Sequence, residues 1–249
     1  MRLCRWATMA RRMTPIPLLI TSAINVSAPG TKLADPAERL DLTLKGIKRW
    51  LHDPAVDSVV AVDGSAFDYS AQLIELNRDA RKHIEFLSFQ NNVERVRLQG
   101  KGYGEGEIVL HALTHSTILS SAPCFAKCTA KLYVRNYAKC LAAFNGKFMC
   151  GIYGRNTIRC LDTRFYLASR NFWMKHFSRA HLQVDDPKGY YIEHSYLDRL
   201  RENGIRHFTL PVPPLIEGRS GSDNIEYPAP SPYRRLAHRL RFYIFNKIY

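Results

Sequence analysis

The chain lacks several features whose absence narrows its class. No stretch reaches the roughly 18–20 apolar residues needed to span a bilayer, which excludes an integral membrane protein. No segment repeats at a fixed period, which removes solenoids and propellers. The six cysteines (Cys4, Cys124, Cys128, Cys140, Cys150 and Cys160) contain no Cys-x-x-Cys pair, so a zinc ribbon or thioredoxin-type site is disfavoured. They read as reduced thiols of a cytoplasmic fold too large to need disulfide staples. Acids are missing from both ends. Residues 1–12 carry Arg2, Arg5, Arg11 and Arg12, and residues 233–249 carry Arg234, Arg235, Arg239, Arg241 and Lys247, without one Asp or Glu. Much of the net charge of +14 therefore sits in two tails. A nucleic-acid binder would spread it over a face of its fold, and two basic tails suit an anionic membrane surface at least as well.

What is present suffices for one packed domain: 46% apolar and 23% charged residues in 249. Arg11-Arg12 before Ile16–Ile24 resembles a leader, but two prolines and Thr21, Ser22 and Asn25 make a buried first strand over 16–24 the better reading. Asp35-Pro36-Ala37-Glu38 supplies an N-cap, a proline in the first turn and a capping-box acid. Leu40, Leu44, Ile47 and Leu51 then form the apolar stripe of a helix. Ser58–Val62 and Ile84–Phe89 read as strands around a helix over 69–80. This alternation predicts an α/β fold with a mostly parallel, Rossmann-like sheet flanked by helices. Further along, the sequence predicts a helix over 107–116 and strands at 124–127, 149–153 and 158–167. Helices over 171–182 and 191–202 and a last strand over 208–212 complete the reading. The prolines and glycines of 213–232 predict an irregular linker. Beyond it, 233–249 pattern as a basic amphipathic helix suited to lie on a membrane or to dock back on the domain. The expected organisation is a basic tail (1–15), one domain (16–212), a linker (213–232) and that helix.

Five segments could carry chemistry. In an open parallel sheet, ligands sit beyond the carboxyl ends of the strands, here Thr21-Ser22 and Asp63-Gly64-Ser65. Their hydroxyls and carboxylate could hold a base and ribose, or simply cap turns. Gly100-Lys101-Gly102-Tyr103-Gly104-Glu105-Gly106 lets backbone approach a ligand and opens a helix whose N-terminus favours anions. It is neither a Walker loop nor a Rossmann fingerprint. Lys127, Thr129 and Lys131 could neutralise a diphosphate, or form a solvated basic loop. Asp162-Thr163-Arg164 is the fourth segment. Asp185-Asp186 with Glu193-His194 is the fifth, where a carboxylate at a helix start could act as a general base or merely stabilise its helix.

Taken in order, Leu19–Ile24, Arg39, Val62–Ser65, Ile84–Phe89, Gly100–Glu107, Phe125–Thr129, Asp162–Tyr166 and Gly189–Glu193 resemble a family of bacterial polysaccharide glycosyltransferases of GT-A type. The resemblance covers residues 16–205. It implies transfer of a sugar from a nucleotide sugar to a lipopolysaccharide, capsular or lipid-linked glycan, at the inner face of the plasma membrane. The implied donor site is Thr21, Ser22, Asp63, Ser65, Lys101, Gly102, Gly104, Glu105, Lys127, Thr129 and Lys131. The implied catalytic residues are Glu193, as the base of an inverting reaction, with Asp162 and Arg164. The pattern departs from the family at Ala130-Lys131, where Gly-Arg would follow Thr129. GT-A enzymes usually hold a divalent metal on Asp-x-Asp, but Phe125-Ala126-Lys127 stands there and a lysine cannot ligate one. No cofactor is expected, with the lysines as electrostatic substitutes; a divalent metal is the open alternative, although no Asp-x-Asp stands in the chain's expected position. Non-enzymatic nucleic-acid binding is the alternative, though no specific nucleic acid partner is expected.

Overall fold

The structure, a computed structural model, describes residues 15–153, 159–221 and 224–227. Nine strands and eight α-helices among them are numbered in chain order. They are β1 (Leu18–Ser22), α1 (Pro36–Leu51), β2 (Ser58–Asp63), α2 (Ser70–Ala80), β3 (His83–Ser88), α3 (Val93–Gln99), α4 (Lys101–His115), α5 (Thr117–Ser121) and β4 (Cys124–Thr129). Then come β5 (Leu132–Val134), α6 (Tyr137–Ala142), β6 (Phe148–Tyr153), β7 (Cys160–Ser169), α7 (Arg170–His176), α8 (Ile192–Glu202), β8 (Ile216–Arg219) and β9 (Glu226–Tyr227).

The main sheet runs β3-β2-β1-β4-β7-β6. Its first four strands are parallel, and β7 runs antiparallel to both of its neighbours, β4 and β6. The expected α/β fold with a mostly parallel sheet is therefore present. Alternate residues of β1 and β2 enter opposite cores: Leu19, Val60 and Val62 share one with residues of α4, α7 and α8, whereas Leu18, Ile20, Val59 and Ala61 share the other with residues of α1, α2 and α6. Both faces are covered, which is why these strands read as unbroken apolar runs.

Asp35 caps α1 as its sequence predicts, accepting from the Glu38 amide at 2.7 Å. The buried face of α1 differs from the expected stripe. Arg39, Thr43, Gly46, Ile47 and Trp50 face inward, while Leu40 and Leu44 are only half-buried. The cause is Gly46, which lies so close to the Ala130 carbonyl that a β-carbon would overlap it. That approach turns the Arg39–Trp50 face toward β4 and β5, and Trp50 Nε1 donates to the Leu132 carbonyl at 2.9 Å.

Three further expectations change. The expected start of a helix at 107 moves back to Lys101, so the glycine-rich segment forms the first turns of α4 rather than a loop. Residues 208–212 form no strand, only an isolated bridge from Thr209 to Cys150. The segment expected to be a linker instead carries β8 and β9, which join β5 in a second sheet. The N-terminal tail and the amphipathic segment 233–249 lie outside the described residues. Among the described residues, no helix is long and apolar enough to cross a membrane.

Candidate functional site

A cleft of about 540 Å³ opens at the carboxyl ends of the parallel strands. Thr21, Ser22, Gly64 and Thr129 line its floor. One side is formed by α4, β7 and the start of α8, with Lys101, Gly102, Gly104, Glu105, Asp162, Thr163, Arg164, Asp186 and Glu193. The other is formed by the β1–α1 loop, Arg39, the β4–β5 turn with Lys131, Arg219 at the end of β8, and Ser220 and Gly221 beyond it.

On the first side, polar groups interlock. Lys127, 1% exposed, forms an ion pair with Glu105 and donates to the Thr163 carbonyl at 2.9 Å and to Thr129 Oγ1 at 3.1 Å. Thr21 Oγ1 also donates to Glu105, at 3.2 Å. Thr163 Oγ1 donates to Glu193 at 2.8 Å. Burial pushes the Glu193 carboxyl above the usual carboxylate range, and nearby Asp162 and Glu105 push the same way against the Thr163 hydrogen bond. Arg164 grips Asp162 through two bonds, at 2.8 and 2.7 Å, and its guanidinium lies 4.7 Å from the centre of the Tyr227 ring.

The α4 N-terminus is not open to an external anion. The Asp186 carboxylate occupies it, accepting from the Gly102 amide at 3.1 Å. Gly100, at φ +98°, has Asp186 so close that any β-carbon would overlap its side chain. The glycines thus serve an internal cap and close packing. Asp63 and Ser65 also turn inward and do not line the cleft. The Asp63 carboxylate accepts from Ser22 Oγ (2.8 Å), Ser65 Oγ (2.5 Å) and the amides of Ile24, Ser65 and Phe67, tying the ends of β1 and β2 together.

On the second side, Arg39 is taken up by backbone, donating to the Ala23 and Leu33 carbonyls at 2.6–2.8 Å. Arg219 pairs with Glu38 at 2.9 Å. Lys131 differs from both. It is 6% exposed, lines the cleft, and has no hydrogen bond or ion pair to any described residue. A β-carbon on Gly221 would stand 3.4 Å from both Lys131 Nζ and Arg39 Nη1. Burial pulls the Lys131 amine down to about 7. Arg39 adds to this, and Glu105 and Asp63 oppose it.

Of the residues predicted from sequence, Thr21, Ser22, Lys101, Gly102, Gly104, Glu105, Thr129, Lys131, Asp162, Arg164 and Glu193 meet in one cleft, with Lys127 directly behind Glu105. Sequence reasoning missed the Asn25–Thr31 loop, Asn91 and the Arg219–Gly221 wall. Small polar residues after the first strand signalled the loop. No signal marked the wall, which sits among prolines.

These residues do not fit a divalent metal of the Asp-x-Asp kind. Lys127, at the position the sequence resemblance gives to that motif, is already ion-paired with Glu105, and no three His, Cys, Asp or Glu converge among the described residues.

No protein-family model matches the chain, and no curated protein matches it. Solved structures do. The inositol-1-phosphate CTP transferase from T. maritima aligns with a TM-score of 0.50 at 12% identity, over 92% of this chain and 97% of that one. The galactosyltransferase LgtC, in complex with donor and acceptor sugar analogs, aligns at 0.47 and 12% identity, over 74% and 70%. Core-mannan synthase A from Aspergillus fumigatus, in an Mn/GDP form, aligns at 0.46 and 9% identity, over 95% and 86%. At such identities the likeness concerns the fold alone, and the fold is one this chain shares with the CTP transferase.

Proposed function

We propose that the protein is a transferase that binds a nucleotide sugar in this cleft and passes the sugar to a glycan or lipid-linked acceptor. The observation that carries the reading is Lys131, a nearly buried amine with no hydrogen bond or ion pair to any described residue, in a cleft at the carboxyl ends of parallel strands. A buried amine left unpaired is costly unless a ligand anion completes it, and a diphosphate is the anion such strand ends suit.

In this reading Glu193 takes the proton of an acceptor hydroxyl as that oxygen attacks the anomeric carbon. The bond from that carbon to the phosphate oxygen breaks, and its electron pair leaves on the nucleoside diphosphate. Lys131 stabilises the departing charge, and inversion follows from the single displacement. Thr163 holds the base, while Lys127 fixes Glu105 and the Thr163 carbonyl. Asp63 and Ser65 have no direct role, and transfer needs no divalent metal. A lipid-linked acceptor would reach the cleft at a membrane surface engaged by the basic segment 233–249, on the cytoplasmic face.

The likeness to a CTP transferase favours a second reading, transfer of a nucleotidyl group. One experiment separates the two. Purified protein is incubated with a panel of nucleotide sugars, and separately with CTP and sugar phosphates, all in excess EDTA. Release of a nucleoside diphosphate from one sugar nucleotide is the expected result. Pyrophosphate release from CTP would establish the second reading, and activity restored only by Mn²⁺ would overturn metal-independent transfer.

A further inference from the structure

The two inward-facing lysines near the strand ends have opposite surroundings. Lys127 is satisfied by Glu105, Thr129 and Thr163. Lys131, in the turn between β4 and β5, has no hydrogen bond or ion pair to any described residue, and Gly221 packs so close that a β-carbon there would stand 2.9 Å from its Cε. Among the described residues, the charged groups around it are Arg39 on α1, Glu105 on α4, Asp63 at the end of β2 and Arg219 on β8. Arg39 disfavours a second cation there, and the two carboxylates that would favour one are already committed, Glu105 to Lys127 and Asp63 to five donors.

We propose that Lys131 takes up a proton when a diphosphate docks, so that ligand binding at this cleft is proton-coupled. The inference rests on the diphosphate reading above. The proton comes from solvent and stays on Nζ while the anion is bound. The incoming phosphate supplies an opposite charge not already committed to another donor, which raises the amine's proton affinity. The free amine, drawn down to about 7 mainly by burial, is then largely neutral at mildly alkaline pH. The cleft would therefore select multiply charged phosphates and bind them less well as pH rises.

The test uses uridine, cytidine, adenosine and guanosine 5′-diphosphates at pH 8, where their phosphates are already fully ionised. Titration calorimetry in buffers of different ionisation enthalpy counts the protons taken up. About one proton per bound nucleotide is expected, and affinity should fall about 50-fold between pH 7 and pH 9. Lys131→Arg, permanently charged, should bind without uptake and with a flat pH profile. If that variant fails to fold, Lys131→Gln should weaken binding at pH 7 and remove the pH dependence. Tight binding by the wild type with no proton uptake overturns this inference and leaves the proposed function standing. Uptake that persists in a folded Lys131 variant also overturns it. Absence of binding by all four nucleotides at any pH overturns the proposed function itself.

Discussion

The two walls of the cleft place buried charge in opposite ways. On the α4–β7–α8 wall every charged group described has a counterpart: Lys127 with Glu105, Arg164 with Asp162, and Glu193 with the Thr163 hydroxyl. On the wall made by the β4–β5 turn and the end of β8, Lys131 has none among the described residues. A paired buried ion repays part of its desolvation cost, whereas an unpaired one does not. The contrast also changes what the lysines do. Both were expected to meet a diphosphate, and only Lys131 lines the cavity.

The comparison can be broken at its strongest point first. Glu193→Gln should lower turnover by about 10²–10⁴-fold with donor affinity little changed, measured by steady-state kinetics alongside nucleotide binding. Unchanged turnover would remove the base from the interlocked wall. The two lysines come next, in a thermal melt. Lys127→Met leaves Glu105 without its ion partner and should cost about 3 kcal/mol, or roughly 10 °C in Tm. Lys131→Met should act in the opposite direction. Its amine titrates lower in the folded protein, about 7, than the usual 10.5. Between these values the unfolded chain holds more protons, so stability rises with pH through that window and the full penalty lies below pH 7. Removing the amine should therefore raise Tm by about 2–4 °C for each kcal/mol relieved, most strongly below pH 7. Equal and same-signed shifts for the two lysines would erase the distinction. The smallest effect belongs to Arg219→Ala, which breaks a solvent-screened pair with Glu38 and should change stability by about 0–1 kcal/mol. A loss of nucleotide affinity without a change in Tm would sharpen its role as a wall residue.

Much of the first wall and the main sheet was legible in the sequence. Apolar runs marked β1, β2 and β3, Asp35-Pro36 marked the start of α1, and Asn203-Gly204 marked the end of α8, with Gly204 at φ +62°. The rest depended on contacts between distant residues. The start of α4 reads as a loop because glycine is a poor helix former, and only Asp186, 84 residues from Gly102, supplies the cap that makes it helical. Ile216-Glu217-Gly218-Arg219 shows no apolar alternation, so nothing local marks β8 before it pairs with β5. The burial of Lys131 is equally silent, since a lysine between Ala130 and Leu132 looks like any solvated turn.

The pairing of β8 with β5 joins residues more than eighty positions apart, Leu132 with Gly218. The six strands of the main sheet are all complete by Ser169, yet the Lys131 wall gains Arg219, Ser220 and Gly221 only when the chain comes back. A nascent polypeptide stopped short of residue 216 would own its hydrophobic interior and lack one jaw. In the proposed reading, competence to hold a ligand would come only after the main sheet, with the closure of this long loop.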